Sequence, residues 1–432
     1  MMDQTARVIA IGLILVASAW ASRADVVHPA DQVHSAGDPS VGAVAGARGG
    51  QDLFGPYEVV PDWPKELSAA LPGHAGWTFG AGQSIFAESA DRVFVLQRGE
   101  LPIVTRPEPR RLGPSLGFPI GRLPVRDATV ASMPHNGATN VVVDEALETW
   151  HARGYQTGVD ARWEHCVLVL NSRGDVVESW TDWDSLFQLP HFVAISPFDP
   201  ERHVWIVDDH KHVIHKFTND GKRKVATLGT YGAAGADDTH FNRPTFVDWF
   251  PDGSFVVADG YYGTRVVKFD RDARFLAAWG EKSPARGDRT PGRFNNVHGI
   301  AIDHQTRRVF VNDRANQRIQ VFDEHGRFLD QWPTGTAASD IHVIHVMGGA
   351  LWAADRGTNK IIKWDLDGRL RYTWGTFGDF PGGLWGVHGM SVDEDGNFYV
   401  AEVGNGGVQK FRPRPGANPS MLVGQPTRGA WH

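Results

Sequence analysis

Three histidines far apart in the chain share one local setting: His191 in LPHFV, His298 in NVHGI and His388 in GVHGM. Each stands at the mouth of a short apolar run bounded by turn residues, the pattern of a strand. Three neutral imidazoles with a fourth position left open are the ligand set of a catalytic zinc. Such an ion acts as a Lewis acid or lowers the pKa of a bound hydroxyl. One histidine alone serves equally to hold water or a backbone carbonyl. The chemistry therefore depends on whether the fold brings the three together.

The element that positions them is a repeat, clearest from Phe294 to Trp332, FNNVHGIAIDHQTRRVFVNDRANQRIQVFDEHGRFLDQW. It reads as four short strands separated by turns, one blade of a β-propeller, whose repeats run to about 40 residues. The closing strand recurs as NSRGDVVESW (171–180), DRDARFLAAW (270–279), DEHGRFLDQW (323–332) and DLDGRLRYTW (365–374), with a weaker copy, TNDGKRKVATL, at 218–228. The second strands align as VWIVDD, FVVADG, VFVNDR, LWAADR and FYVAEV. These define six blades, near 80–182, 188–229, 243–280, 296–332, 339–375 and 386–412. The expected fold is an all-β, six-bladed propeller, with each closing tryptophan packed between neighbouring sheets. YEVVPDWP (57–64) is expected to close the ring against the last blade, because sheet edges need cover.

First strands lie nearest the axis, so their opening residues form a ring: Gln83, His191, Thr245, His298, Ile341 or His342, and His388. The histidines occupy alternate blades, a third of a turn apart, and can converge on the axis as a zinc site. His342 or His345 is an alternative or additional ligand. His210, His212, His215 and His325 are expected in turns or outer strands, solvated.

The chain of 432 residues carries 49 Gly and 26 Pro, a load that suits a turn-rich all-β protein with a large core. A formal charge of −7 leaves no basic footprint for nucleic acid. Arg7 followed by the apolar run Val8–Trp20 and small residues reads as a secretory signal over 1–24, cleaved after Ala21 or Ala24. The mature protein is then secreted or periplasmic, or membrane-anchored if the signal stays uncleaved. Residues 25–55 read as a leader, and 56–425 as the propeller. An excursion at 100–160, with a short helix near Asp144–Arg153, interrupts blade one and is expected to cover one face of the ring. The single cysteine, Cys166, is expected to be a small buried hydrophobe rather than a nucleophile.

The stretch FVVADGYYGTRVVKFDRDARFLAAWGEKS…PGRFNNVHGIAID (Phe255–Asp303), with FQLPHFVAI, VFVNDRANQRIQVF and VHGMSVDEDGNFYVAEV, resembles the peptidyl-α-hydroxyglycine α-amidating lyases, six-bladed propellers of NHL-type repeats. The resemblance covers most of 80–412. It implies that His191, His298 and His388 are zinc ligands, that Tyr261 is the catalytic tyrosine, and that Arg98 and Arg314 are active-site arginines. It also implies cleavage of the C–N bond of an α-hydroxyglycine to a peptide amide and glyoxylate. Arginines of this kind hold a substrate carboxylate through paired charge-assisted bonds. Two departures stand out. Where the family has an aspartate that holds a structural calcium, this chain has Gly389, so calcium would lack its carboxylate. Where the family has an active-site methionine, this chain has Gly386. The alternative from another class is a non-catalytic NHL propeller that binds a protein, peptide or glycan on one face.

Overall fold

The computed structural model describes residues 54–104, 127–132, 147–335 and 338–425. The signal expected at 1–24 and nearly all of the expected leader lie outside the described residues, as does much of the excursion at 100–160. No helix among the described residues is long and apolar enough to cross a membrane.

Six four-stranded antiparallel sheets form the propeller. Their innermost strands are Gly82–Ser89, Pro190–Ile195, Phe246–Trp249, Val297–Ile302, Ile341–Met347 and Val387–Val392. Blade one runs Gly82–Ser89, Arg92–Gln97, Val167–Leu170, Val176–Ser179, so residues 98–166 separate its second and third strands. Blade six takes its outermost strand from the other end of the chain: Tyr57–Val59 pairs with Val408–Pro413, Tyr57 opposite Pro413. The expected closure is found, in fewer residues than the sequence suggested. Tyr57 is fully buried against Trp374 and Phe398, and its hydroxyl accepts the Val423 amide. The ring edge is thus hydrogen-bonded and packed in one place.

The closing tryptophans lock each blade to the next through glycine. A Cβ on Gly221, in the turn of blade two, would lie 2.2 Å from the Trp180 ring of blade one. Gly326 meets Trp279 at 2.7 Å and Gly368 meets Trp332 at 2.4 Å in the same way. Gly55, just before the closing strand, meets Trp374 at 2.6 Å. No side chain fits between these indoles and the backbone above them, so the turn of one blade sits directly on the ring of its predecessor. Blade two ends in Leu228 instead of Trp, and the corresponding turn of blade three carries Ala273, at φ +63°. The smaller side chain below coincides with a residue bearing a Cβ above.

The expected helix near Asp144–Arg153 is described as Leu147–Ala152. Trp150 packs with Leu101, Ala128, Ala131, Ala161 and Val403, which ties the described parts of the excursion to a loop of blade six. Cys166 is fully buried and its thiol is pushed up by burial, as a packing residue requires.

The interlock makes a two-sided prediction. Gly368→Ala drives a Cβ into Trp332 at a left-handed φ and should cost about 1–3 kcal/mol, as overpacking does. Ala273→Gly removes a Cβ from a left-handed residue and should change stability by less than about 1 kcal/mol, toward greater stability. Chemical denaturation of both variants checks this; equal losses would discard the interlock.

Candidate metal centre

The residues that face the axis are aimed by two backbone devices. Each second strand ends in a side chain that accepts the amide of the segment before the first strand. Asp208 accepts from Gln188, Asp259 from Asn242, Asp313 from Asn295, Asp355 from Asp340, Glu402 from Trp385 and Gln97 from Gly80. These carboxylates are buried; burial pushes Glu402 up to about 7 and Asp259 up to about 6. Their amide bonds offset the desolvation cost. Just beyond the pinned amide the first strand bulges in five of the six blades; the first strand of blade three, Phe246–Trp249, pairs in regular register. Register shifts fall at Gly82/Ser84, Pro190/Phe192, Val297/Ile300, Ile341/Val343 and Val387/Gly389. A bulge turns its extra residue out of the pleat. Here those residues are Gln83, His191, His298, His342 and His388, which settles the axial position of blade five on His342 rather than Ile341.

His191, His298 and His388 come together. Their ring centroids are 4.9 Å (191 to 298), 4.6 Å (191 to 388) and 5.2 Å (298 to 388) apart, and all three are buried. Each Nδ1 donates to a backbone carbonyl of the next blade: His191 to Thr245 at 3.0 Å, His298 to His342 at 2.6 Å, His388 to Gln83 at 2.7 Å. A carbonyl only accepts, so every Nδ1 carries the hydrogen and every Nε2 keeps its lone pair. Burial holds the rings neutral, with His191 pushed down to about 3 and His298 and His388 well below the usual histidine range. The Tyr261 hydroxyl stands 3.1 Å from His191 Nε2 and 3.0 Å from His298 Nε2. One phenol proton cannot serve two lone pairs, so the hollow is richer in acceptors than its surroundings can satisfy. Three oriented, neutral Nε2 atoms with surplus lone-pair density fit a divalent transition ion.

The other expected site residues lie around this focus. Arg98 adds positive potential at His191, His388 and Tyr261, and its buried Nε has no hydrogen-bond partner among the described residues. The Arg314 guanidinium is 5.4 Å from the Tyr261 ring centroid and 3.5 Å from Asp340 of blade five. Burial raises the Tyr261 phenol, while Arg314, Arg243 and Arg98 pull the other way. His342 lies 4.9 Å from His388, ring to ring, but its Nε2 contacts Asp340 at 3.3 Å. His345 lines a separate cavity at the opposite end of the first strands, with Asp248, His304 and Met390. At the calcium position, a Cβ on Gly389 would lie 2.7 Å from Ser84 Cα, so the backbone of blade one fills the space where a carboxylate would start. Gly386 adopts φ +70°, which disfavours any larger residue there.

Sequence reasoning missed one supporting group. Arg243, 3% exposed, lays its guanidinium 4.4 Å from the Tyr261 ring centroid and pairs with buried Asp209 at 3.2 Å. Asp209 also contacts His210, and the Arg243 carbonyl accepts the Tyr261 amide. Arg243 itself sits at φ +62°, its amide donating to His212 Nδ1. The signal was present in the acidic-basic run DDHKH (208–212) that ends the second strand of blade two. His210, His212 and His215 are correspondingly buried, not solvated as expected: the turn carrying His210 and His212 packs against Arg243 of the next blade, and His215, on the strand Val213–Phe217, is covered by Phe187, Thr227 and Tyr231. His325 is exposed.

No family model matches the chain. The chain is similar to peptidyl-glycine alpha-amidating monooxygenase A of Xenopus laevis, 29% identical over 266 residues, covering 60% of this chain and 28% of that protein. A probable peptidyl-alpha-hydroxyglycine alpha-amidating lyase of Caenorhabditis elegans is 28% identical over 232 residues, 50% of this chain and 62% of that one. NHL repeat-containing protein 3 of Mus musculus is 33% identical over 177 residues, 38% of this chain and 48% of that protein. The chain thus spans less than two thirds of each relative.

Buried His215 supplies a pH test independent of the centre. Burial pushes it down from 6.5 to about 3. Below 6.5 the unfolded chain takes up a proton that the folded chain refuses until about 3, so this contribution is complete above that window and lost as pH falls through it. The stability difference between wild type and His215→Asn should therefore change by about 1.4 kcal/mol per pH unit within the window. Denaturation at pH steps measures it; a pH-independent difference rules it out.

Proposed function

We propose that the chain is an exported, zinc-dependent lyase that splits the C–N bond of an α-hydroxyglycine-like carbinolamide into an amide and glyoxylate. The observation that carries this reading is the convergence of three Nε2 lone pairs, each aimed by its own Nδ1–carbonyl bond, beside Tyr261. The similarity to amidating proteins supports the same reading, and the apolar run Val8–Trp20 is the reason for including export.

His191, His298 and His388 would hold the ion through Nε2. Zinc bound there supplies Lewis-acid polarisation of the substrate hydroxyl, lowering its pKa. The chain's own groups do the rest. Arg98, with an unpartnered buried Nε, binds the substrate carboxylate, and Arg314 flanks the same space. Ionised by the bound cation together with Arg314, Arg243 and Arg98, Tyr261 Oη would start as a phenolate and take the hydroxyl proton as the carbonyl of glyoxylate forms and the C–N bond breaks. The same Oη returns that proton to the departing amide nitrogen, which leaves the enzyme unchanged. Positioned proton transfer of this kind contributes about 10²–10⁴ in rate. The Arg243–Asp209 pair fixes the tyrosine ring from behind, so the phenol keeps its aim while buried.

A second reading draws on the similarity to NHL repeat-containing protein 3. In it the propeller binds a protein, peptide or glycan on one face, and neither the metal nor Tyr261 matters.

Metal analysis and a glyoxylate assay separate the two. The purified chain should hold zinc, lose thermal stability on chelation and regain it on zinc addition, as ligand linkage requires. It should release glyoxylate from an α-hydroxyglycine peptide. Tyr261→Phe and His298→Ala should each lower kcat/KM by about a hundredfold or more. Full activity in both variants would sink the assigned roles, and a metal-free, inactive protein would favour the binding module.

A further inference from the structure

A second group of ligating side chains lies outside the axis, where the excursion leaves and rejoins blade one. Glu100 begins the excursion, pairing through Glu100–Pro102 with the strand Trp77–Phe79. Arg162, Glu164 and His165 end it, just before Val167–Leu170. His74 comes from the segment ahead of blade one. The ligand atoms of His74, Glu100, Glu164 and His165 all lie within 4.8 Å of one another.

The Glu100 side chain has no exposure, and those of His74 and His165 retain 11% and 10%. Glu100 Oε2 lies 2.9 Å from His74 Nδ1, and Oε1 lies 2.8 Å from His165 Nδ1. The second is an ion-pair contact that falls short of good hydrogen-bond geometry, and neither Glu100 Oε1 nor His165 Nδ1, both buried, has another partner among the described residues. A buried carboxylate oxygen is costly to leave without well-aligned partners, and here its one close neighbour is an imidazole nitrogen in the same position.

His74 Nδ1 is contested in a way that no neutral tautomer resolves. It lies 2.9 Å from Glu100 Oε2 and 2.9 Å from Arg162 Nη2. If it carries the hydrogen it suits the carboxylate and opposes the guanidinium; if it does not, the reverse holds. Arg162 Nη2, also 2.7 Å from Glu100 Oε2, marks the point where a positive charge is favoured. Arg162 has a resting place besides: its guanidinium lies 4.0 Å over Trp77. Two carboxylates against one guanidinium leave the group with a net negative charge when the imidazoles are neutral. A divalent ion would satisfy Glu100 Oε1 and His165 Nδ1 at once, while Arg162 Nε, a donor, would stay outside the ligand set.

We propose that His74 Nδ1, Glu100 and His165 Nδ1, closed by the half-exposed Glu164, form a second metal site, selective for a zinc-like transition ion. Two imidazoles and two carboxylates without an open position make a structural site rather than a catalytic one. The ion would staple the two ends of the excursion to each other and to the segment before blade one. It would do for a chain with a single buried cysteine what cross-links do elsewhere. This site stands independently of the axial one.

The test is zinc content and zinc affinity of the full chain, with the zinc ion alone as probe. His388→Ala should lose the axial ion and keep this one. Glu100→Gln and His165→Asn should lose this ion and keep the axial one. In wild type, chelation should expose the excursion to protease, and zinc should restore protection. Arg162→Gln separates a metal site from a plain ion pair and does not depend on the ligand variants folding. It removes the competing cation and should tighten zinc at this site by about tenfold. Zinc content unchanged in both Glu100→Gln and His165→Asn would overturn the proposal. So would an Arg162→Gln protein with reduced stability that zinc does not restore.

Discussion

The bond on which the centre rests is short and repeated: the side chain that ends each second strand accepts an amide from the segment feeding the first strand of its own blade. Without it, that segment would be a free loop and the bulge beyond it would have no fixed phase. With it, the residue at the bulge points to the axis in blade after blade. The acceptor is buried, so the bond is expensive to leave unmade. The cost shows in Glu402 and Asp259, both pushed upward by burial.

That local bond becomes long-range order through the blade contacts. Tryptophans seated under backbone glycines set the spacing of adjacent sheets, and the strand Tyr57–Val59 prevents the ring from opening. Correct spacing is what lets an imidazole of one blade reach a carbonyl of the next. The Nδ1 bonds of His191, His298 and His388 therefore report blade registry as much as they orient ligands. Thr245 continues the same circuit, its hydroxyl donating to the His298 carbonyl at 2.6 Å. Three imidazoles arranged this way are preorganised by the closure of the ring, not by a dedicated loop.

Much of this was legible in the sequence because a repeat compares a chain with itself. The closing strands and second strands aligned, and six sheets with those boundaries are present. The histidines of alternate blades stood out for the same reason. What escaped were features that belong to one blade only. Arg243 sits at the offset where its neighbours have no charged residue, and its importance comes from a left-handed backbone and a partner on another blade. His210, His212 and His215 were assigned to solvent from their place in the repeat. The burial of His210 and His212 depends on how the turn of blade two meets blade three, which no single-blade pattern encodes, and that of His215 on Phe187 and Tyr231, which lie outside the repeated strands. The choice between Ile341 and His342 likewise turned on a bulge, invisible to alternation.

The glycines at 386 and 389 show how far a fold can hold a centre while altering its surroundings. A Cβ on Gly389 would lie 2.7 Å from Ser84 Cα, so a side chain there would break the packing of blade six on blade one. Gly386 has adopted a conformation that few other residues share. The close approach at Gly389 also brings the Gln83 carbonyl, one residue before Ser84, to His388 Nδ1 at 2.7 Å. Ligand orientation is thus carried by the repeat, while the shape of the pocket above it is carried by single positions. Arg98, Arg314 and Arg243 surround Tyr261 there, and their side chains take no part in the bond on which the propeller's axis depends.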